Sequence, residues 1–485
     1  GGNISEILDL LFEKNPSVRI VINVIALESL SQVTDYCVRR GLIPDVTCIQ
    51  ASRAKQLGAY HLMQGMNPVY VITLDGRERR EEKREGIPRL LLTAPASGSG
   101  KTVITSGLLA LFSKMGLSCV SFKCGPDYID PMFHRYVLGI PGSNLDSFFL
   151  DEDGVRQLFE ERSADHELAL IEGVMGYYDG LGGVSDRDST WDVACATNTP
   201  VILVVRPKGA SLTIAAQVQG MLSFRKRNQL AGILLNDCSE RMARLLAPML
   251  EEQTGLPVVG FLPYVEDASF ESRHLGLVTA QEVGALSEKV DRLADAFLQH
   301  VDLEQVLRIA ATADSVAETI KSEAALKSPD YPDLPQFPAP DKECLRIGIA
   351  QDTAFCFYYE ENKRALRQQG LELVEFSPME DKKLPEGICG LYLGGGYPEL
   401  HAGKLSENSR MRHAIFEAVR HGMPTIAECG GFLYLQKELE DADGQVWEMT
   451  GVLDGSGFRT NRLQRFGYAV MTAKENSMLF EKGES

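Results

Sequence analysis

Apolar residues fall in short, dense runs separated by longer stretches in which apolar positions recur at helical spacing. The runs lie at 19–26, 89–93, 119–122, 168–171, 201–205, 232–235, 346–350 and 390–393. Each is too short for a stable helix and has the continuous apolar character of a buried strand. Their alternation with helical stretches predicts parallel sheets covered by helices on both faces, an α/β fold.

Two stretches interrupt the alternation. Residues 77–85 are an unbroken charge run of five positive and four negative side chains, with nothing to bury. Farther on, Pro329, Pro332, Pro335, Pro338 and Pro340 deny the segment 321–343 a helix. The expected organisation is a domain at 1–75, a charged linker at 76–87, a domain at 88–322, a Pro-rich linker at 323–343 and a domain at 344–485. No internal repeat is visible.

Composition narrows the classes. A chain of 485 residues suits about three domains. With 49 Lys and Arg against 67 Asp and Glu, the formal charge is −18, which repels nucleic acid and anionic membranes. No apolar stretch approaches the roughly 20 residues of a membrane-spanning helix. Ten Cys are scattered without a Cys-x-x-Cys pair. These features read as a cytoplasmic, soluble protein without nucleic-acid or membrane partners, and a homo-oligomer stays open. The chain begins with Gly rather than Met and carries no leader, so it reads as a piece of something longer.

Candidate chemistry starts at Ala94-Pro-Ala-Ser-Gly-Ser-Gly-Lys-Thr102, between a strand and a helix expected at 103–112. This is the order of a P-loop, with Pro95 standing where the usual pattern has its first Gly. Backbone N–H groups from Ser97 through Gly100 would curl around phosphates, Lys101 would reach the outer phosphates, and Thr102 could ligate Mg²⁺. Two acidic clusters follow strands. Asp127 and Asp130 lie in the loop at 123–131, while Glu172 ends a strand with Asp179 in the loop beyond. Ligands of open α/β sheets bind outside the carboxyl ends of strands, so these acids should converge on the P-loop. Acids near polyphosphate require a cation, which suggests Mg²⁺ ligation by Asp127 and Glu172. Taken singly, each also has a plainer reading that metal ligation outweighs, Asp127 as a turn cap and Glu172 as a helix-start charge.

The last domain carries a second pattern. A strand runs into Gly394-Gly-Gly-Tyr-Pro-Glu399, whose N–H groups could face an oxyanion. Later, Ala427-Glu-Cys-Gly-Gly431 has the strand, sharp turn and helix of a nucleophile elbow with Cys429 as nucleophile. A Cys before Gly-Gly is more often structural, and the Gly394–Gly396 loop shifts the balance toward catalysis. None of the eight His follows Cys429 in the sequence.

On these motifs, together with Asn144-Leu-Asp146, Arg273-His-Leu-Gly-Leu277 and Asp352-Thr-Ala-Phe-Cys-Phe-Tyr-Tyr359, residues from about 89 to 485 resemble the cobyrinate a,c-diamide synthase family. The resemblance implies a dethiobiotin-synthetase-like P-loop domain joined to a class I glutamine amidotransferase-like domain. It further implies ATP- and Mg²⁺-dependent amidation of the a and c carboxylates of cobyrinic acid through acyl phosphates, with glutamine or ammonia as nitrogen donor. Carried over residue by residue, Lys101, Thr102 and Lys123 handle phosphates, Thr102, Asp127 and Glu172 hold Mg²⁺, and Asn236 meets adenine. Tyr128, Asp130 and Asp179 would contact the acceptor or activate its carboxylate. Cys429 would attack glutamine, with Gly395 and Gly396 at the oxyanion.

The family's catalytic His is expected in a segment following residue 485, so this chain is expected to hydrolyse glutamine weakly or not at all. On the runs Asn3-Ile-Ser-Glu-Ile-Leu-Asp-Leu-Leu11, Arg19-Ile-Val-Ile-Asn-Val-Ile-Ala-Leu-Glu-Ser-Leu30, Gly58-Ala-Tyr-His-Leu62 and Asn67-Pro-Val-Tyr-Val-Ile-Thr73, residues 3–74 resemble the C-terminal part of a decarboxylating precorrin methyltransferase, a partial Rossmann-like segment expected to be catalytically silent. Two rival readings remain. One is amidation of another tetrapyrrole, such as hydrogenobyrinic acid or nickel sirohydrochlorin. The other is a P-loop regulatory ATPase with a non-catalytic last domain.

Overall fold

The computed structural model describes residues 4–15, 18–40, 42–49, 52–57, 60–65, 67–79, 86–265, 280–313, 345–460, 467–476 and 480–484. The Pro-rich segment, residues 80–85 of the charge run and the Arg273-to-Leu277 motif lie outside the described residues. Two compact units emerge, Gly1–Gly86 and Ile87–Ser485.

In the first unit, helices Ile4–Lys14 and Leu27–Arg40 accompany β1 (Arg19–Val24), β2 (Leu42–Ile49), β3 (Ser52–Leu57), β4 (Tyr60–Gly65) and β5 (Val69–Arg79). The expected parallel arrangement is not what forms here. β5 lies between β1 and β2 and runs antiparallel to both. The reason is the β3–β4 hairpin, which reverses the chain before β5 begins. β5 also continues into the charge run, where Arg79 pairs with Leu42. The ladder is made by backbone groups and accepts charged side chains. Leu8, Val33, Tyr36, Ile72 and Leu74 form this unit's core.

The second unit opens with a seven-stranded, wholly parallel sheet. Its strands are β6 (Arg89–Thr93), β7 (Cys119–Cys124), β8 (Gly142–Leu145), β9 (Leu168–Glu172), β10 (Val201–Val205), β11 (Leu230–Leu235) and β12 (Val258–Phe261). Their order is β12-β11-β10-β6-β9-β7-β8. Every residue of β6, β7, β9 and β10 is buried, as continuous apolar runs covered on both faces must be. Arg89, Lys123 and Glu172 are the buried charged residues in these four strands, and Arg89 is satisfied by backbone. Its buried guanidinium donates to the carbonyls of Ile87, Thr197 and Asn198 at 3.1–3.3 Å.

A four-stranded parallel sheet follows, made of β13 (Arg346–Ala350), β14 (Glu372–Phe376), β15 (Ile388–Leu393) and β16 (Thr425–Ala427) in the order β14-β13-β15-β16. A separate small sheet follows, made of β17 (Glu438–Glu440), β18 (Val446–Glu448) and β19 (Ser456–Gly457) in the order β18-β17-β19. No helix among the described residues is long and apolar enough to cross a membrane.

Candidate active site

Sheet order places the chemistry. β9 lies between β6 and β7, and its register sets Glu172 opposite both Leu92 and Lys123. The carboxyl ends of these three strands therefore bring the P-loop, Glu172 and the 123–131 loop together.

The P-loop is built as its glycines require. Gly98 and Gly100 have φ of +78° and +92°. A Cβ on Gly100 would lie 2.3 Å from Asn236 Nδ2, which itself donates to Ser99 O at 2.8 Å. Ser97 is exposed at the tip. The helix Lys101–Lys114 starts here, so Lys101 and Thr102 occupy its first turn. Lys101 Nζ donates to Met175 O, and burial followed by the nearby Lys123 charge holds its pKa down to about 8. Asn236, Asp237, Arg206, Leu262 and Tyr264 line a cavity of about 160 Å³ beside Gly100. Asp237 accepts from Arg206 Nε at 2.7 Å.

Lys123 sits at the centre of the acids. Its Nζ is 2.6 Å from Asp130 Oδ2, 2.7 Å from Glu172 Oε1 and 3.9 Å from Asp127 Oδ2. Thr102 Oγ1 donates to Glu172 Oε1 at 2.6 Å. Burial alone would lower the Lys123 pKa, but the carboxylates of Glu172, Asp130 and Asp127 outweigh it and hold the ammonium charged. Burial, then Asp130, raises Glu172 to about 7.

Glu172 Oε2 is buried and has no hydrogen-bond partner. With Thr102 Oγ1 beside it, this orphaned oxygen offers the hard donors that suit Mg²⁺. No group of three or more His, Cys, Asp or Glu among the described residues forms a full metal cage.

Asp127 does two things. Its Oδ1 accepts from Ile129 N at 2.8 Å and Asp130 N at 3.3 Å, tying the start of the helix Ile129–Tyr136, while Oδ2 faces Lys123. Asp130 comes nearer to Thr102 and Lys123 than Asp127 does. Asp179 Oδ2 accepts from Gly176 N at 2.9 Å and so closes the loop after β9. Sequence reasoning gave no role to Asn144, whose Nδ2 donates to Gly125 O and Asp127 O and fixes the acidic loop. It also missed the Met175 carbonyl, which no side-chain pattern reveals.

Tyr128 points to the last domain. Its ring stacks on Phe357, with centroids 5.3 Å apart and planes 3° apart, and on Tyr359 at 4.6 Å and 28°. Arg135 pairs with Glu360 at 2.5 Å, and Tyr468 Oη donates to Asp146 at 2.9 Å, across the same boundary.

In that domain, Cys429 is exposed between β16 and the helix Gly430–Leu435, with φ 46° and ψ −108°. This is the strained turn of a nucleophile elbow. The turn exists because Gly431 packs against β15. A Cβ there would lie 2.0 Å from Leu393 O. Gly395 comes alongside Cys429, since a Cβ built on it would be 3.5 Å from Cys429 Cβ. Gly395 N–H donates to Phe357 O at 3.3 Å. No hydrogen bond from a described histidine reaches Cys429, and His413 and His421 are both exposed.

A parallel P-loop sheet joined to a Cys-elbow domain defines the class of glutamine-dependent amidotransferase ligases. Residues 90–278 match the family described as CobQ/CobB/MinD/ParA nucleotide binding domain, and residues 346–481 match the CobB/CobQ-like glutamine amidotransferase domain. Cobyrinate a,c-diamide synthase of Listeria innocua is 39% identical over 399 residues, 82% of this chain and 85% of that one. The enzyme of that name from Caldanaerobacter subterraneus is 37% identical over 395 residues, 81% of this chain and 83% of the other. The chain belongs to the cobyrinate a,c-diamide synthase family. Among solved structures, the MinD cell division protein of Aquifex aeolicus aligns at TM-score 0.30 and 13% identity, covering 46% of this chain and 95% of that one. Precorrin-6y C5,15-methyltransferase of Geobacter metallireducens aligns at TM-score 0.14 and 29% identity, covering 16% and 40%.

Proposed function

We propose that this chain amidates the a and c carboxylates of cobyrinic acid at the expense of ATP. An acceptor carboxylate oxygen attacks the γ-phosphorus and ADP leaves. Ammonia then attacks the acyl carbon, phosphate departs and a proton is lost. The observation that carries this reading is the Lys123 ammonium held between Glu172 and Asp130 beside P-loop Thr102. A cation fixed at that point can meet both the transferring phosphoryl group and an incoming carboxylate.

In this reading, N–H groups from Ser97 through Gly100 and Lys101 bind the phosphates, and Asn236 meets adenine in the adjoining cavity. Thr102, Glu172 and Asp127 hold Mg²⁺, which neutralises phosphate charge when bound. Tyr128, Asp130 and Asp179 face the acceptor. Cys429 attacks the glutamine amide, with the Gly395–Gly396 loop beside the oxyanion. The reaction is assigned to the cytoplasm. Residues 3–74 are read as the C-terminal part of a precorrin methyltransferase domain, on the strength of the sequence segments alone.

The test is ATP-dependent amidation followed by mass spectrometry, with ammonium and glutamine supplied separately. Cobyrinic acid, hydrogenobyrinic acid and nickel sirohydrochlorin would each serve as acceptor. A two-amide product from cobyrinic acid is expected with ammonium. Product from another acceptor alone would reassign the substrate. ATP hydrolysis without any amidation would favour the regulatory ATPase.

A further inference from the structure

The segment 354–359 faces two ways. Inward, it holds the glycine loop beside Cys429. Ala354 O accepts from Tyr397 N at 3.1 Å, Tyr358 Oη accepts from Gly394 N at 2.8 Å, and Phe357 forms an isolated antiparallel bridge with Gly395. Gly396, at φ 153°, packs so tightly that a Cβ would lie 2.0 Å from Ala354 O. The loop therefore cannot shift without the segment. Outward, the Phe357 and Tyr359 rings both stack on Tyr128, which stands between Asp127 and Asp130 on the acidic loop. One residue, Phe357, takes part in both sets of contacts.

The bridge has a chemical consequence. Gly395 N–H donates to Phe357 O, so this donor is spent within the backbone and cannot at the same time serve an oxyanion at Cys429. Releasing it requires Phe357 to move, and the near-parallel stack ties the plane of Phe357 to that of Tyr128. Resting on the function proposed above, we propose that Phe357 is a positioning residue. It keeps Gly395 N–H engaged until occupation of the acidic loop moves Tyr128, and so matches the Cys429 site to the state of the synthetase site. The coupling runs through contacts already formed, in an element with two alternative hydrogen-bond arrangements.

The test uses the full chain and Cys429 labelling resolved by peptide mass. Two reagents are compared. The glutamine-shaped chloroketone 2-amino-4-oxo-5-chloropentanoate draws on oxyanion donors at its ketone oxygen as the thiolate displaces chloride. Iodoacetamide places no such demand and reports access alone. The ratio of the two labelling rates is measured without ligands, and then with adenylyl imidodiphosphate, Mg²⁺ and cobyrinic acid. In the unmodified chain the ligands should raise the ratio about fivefold or more. Phe357→Leu, which keeps apolar bulk but loses the stacking plane, should show the same ratio with and without ligands. Phe357→Tyr should restore the response. No rise in the unmodified chain, or an equal rise in Phe357→Leu, would overturn the proposal. Ammonium-dependent amidation, measured separately, tests the underlying function. Its absence would remove that reading while the labelling response to nucleotide still decides the coupling.

Discussion

His134 shows what one buried side chain does to pH dependence. Ser121 Oγ donates to Pro141 O at 3.1 Å, so toward His134 Nδ1, also 3.1 Å away, it can only accept. The ring proton therefore sits on Nδ1, and Nε2 is left buried without a partner. Burial pushes the imidazole pKa down to about 4. The folded state keeps the ring neutral while the unfolded state protonates it below about 6.5, so stability falls as pH drops from about 6.5 to 4. The loss is on the order of 3 kcal/mol. Urea unfolding across this range should show that loss in the unmodified chain relative to His134→Gln, and parallel curves would contradict the assignment. Glu172 offers a sharper functional test. Glu172→Gln removes the charge that Lys123 and Thr102 share, and ammonium-dependent amidation should fall by roughly 100-fold or more. Initial rates close to those of the unmodified chain would rule out this centre as the site of phosphoryl transfer.

Elements here depend on a few positions where a side chain has no room. Gly431→Ala sets a methyl against the Leu393 carbonyl at the end of β15, and Gly396→Ala adds an unfavourable φ to a similar clash. Each should destabilise the protein by about 2–4 kcal/mol in thermal or denaturant unfolding, because backbone rather than a mobile side chain must yield. Gly220 is the contrast. It lies exposed inside the helix Leu212–Phe224 with open space where a Cβ would go. Gly220→Ala should stabilise by about 0.5–1 kcal/mol. If all three changed stability alike, the packing at the elbow would not be what holds Cys429 in place.

Within the second unit, ionic pairs join the two parallel-sheet domains. Arg135 meets Glu360, and Arg364 reaches Glu161 at 3.2 Å. Exposed pairs contribute little, but Arg135 and Glu360 are partly buried, and removing one partner leaves the other without its counter-charge. Arg135→Glu should split the calorimetric unfolding of this unit into two transitions, and Arg135→Glu combined with Glu360→Arg should merge them again. The sequence by itself determined seven of the eleven strands of the two parallel sheets to within two residues, the P-loop, the acidic loops and the Cys429 elbow, and it left β8, β12 and β14 unread. Those features are written locally, in apolar runs that must be buried and in glycines that alone permit the turns. Tertiary structure decided the rest. It set β5 antiparallel between β1 and β2, placed Lys123 among three carboxylates by the β7–β9 register, and brought Tyr128 onto Phe357. These depend on which distant segments meet, and hydrophobic burial rewards many pairings almost equally until backbone register and ring packing select one.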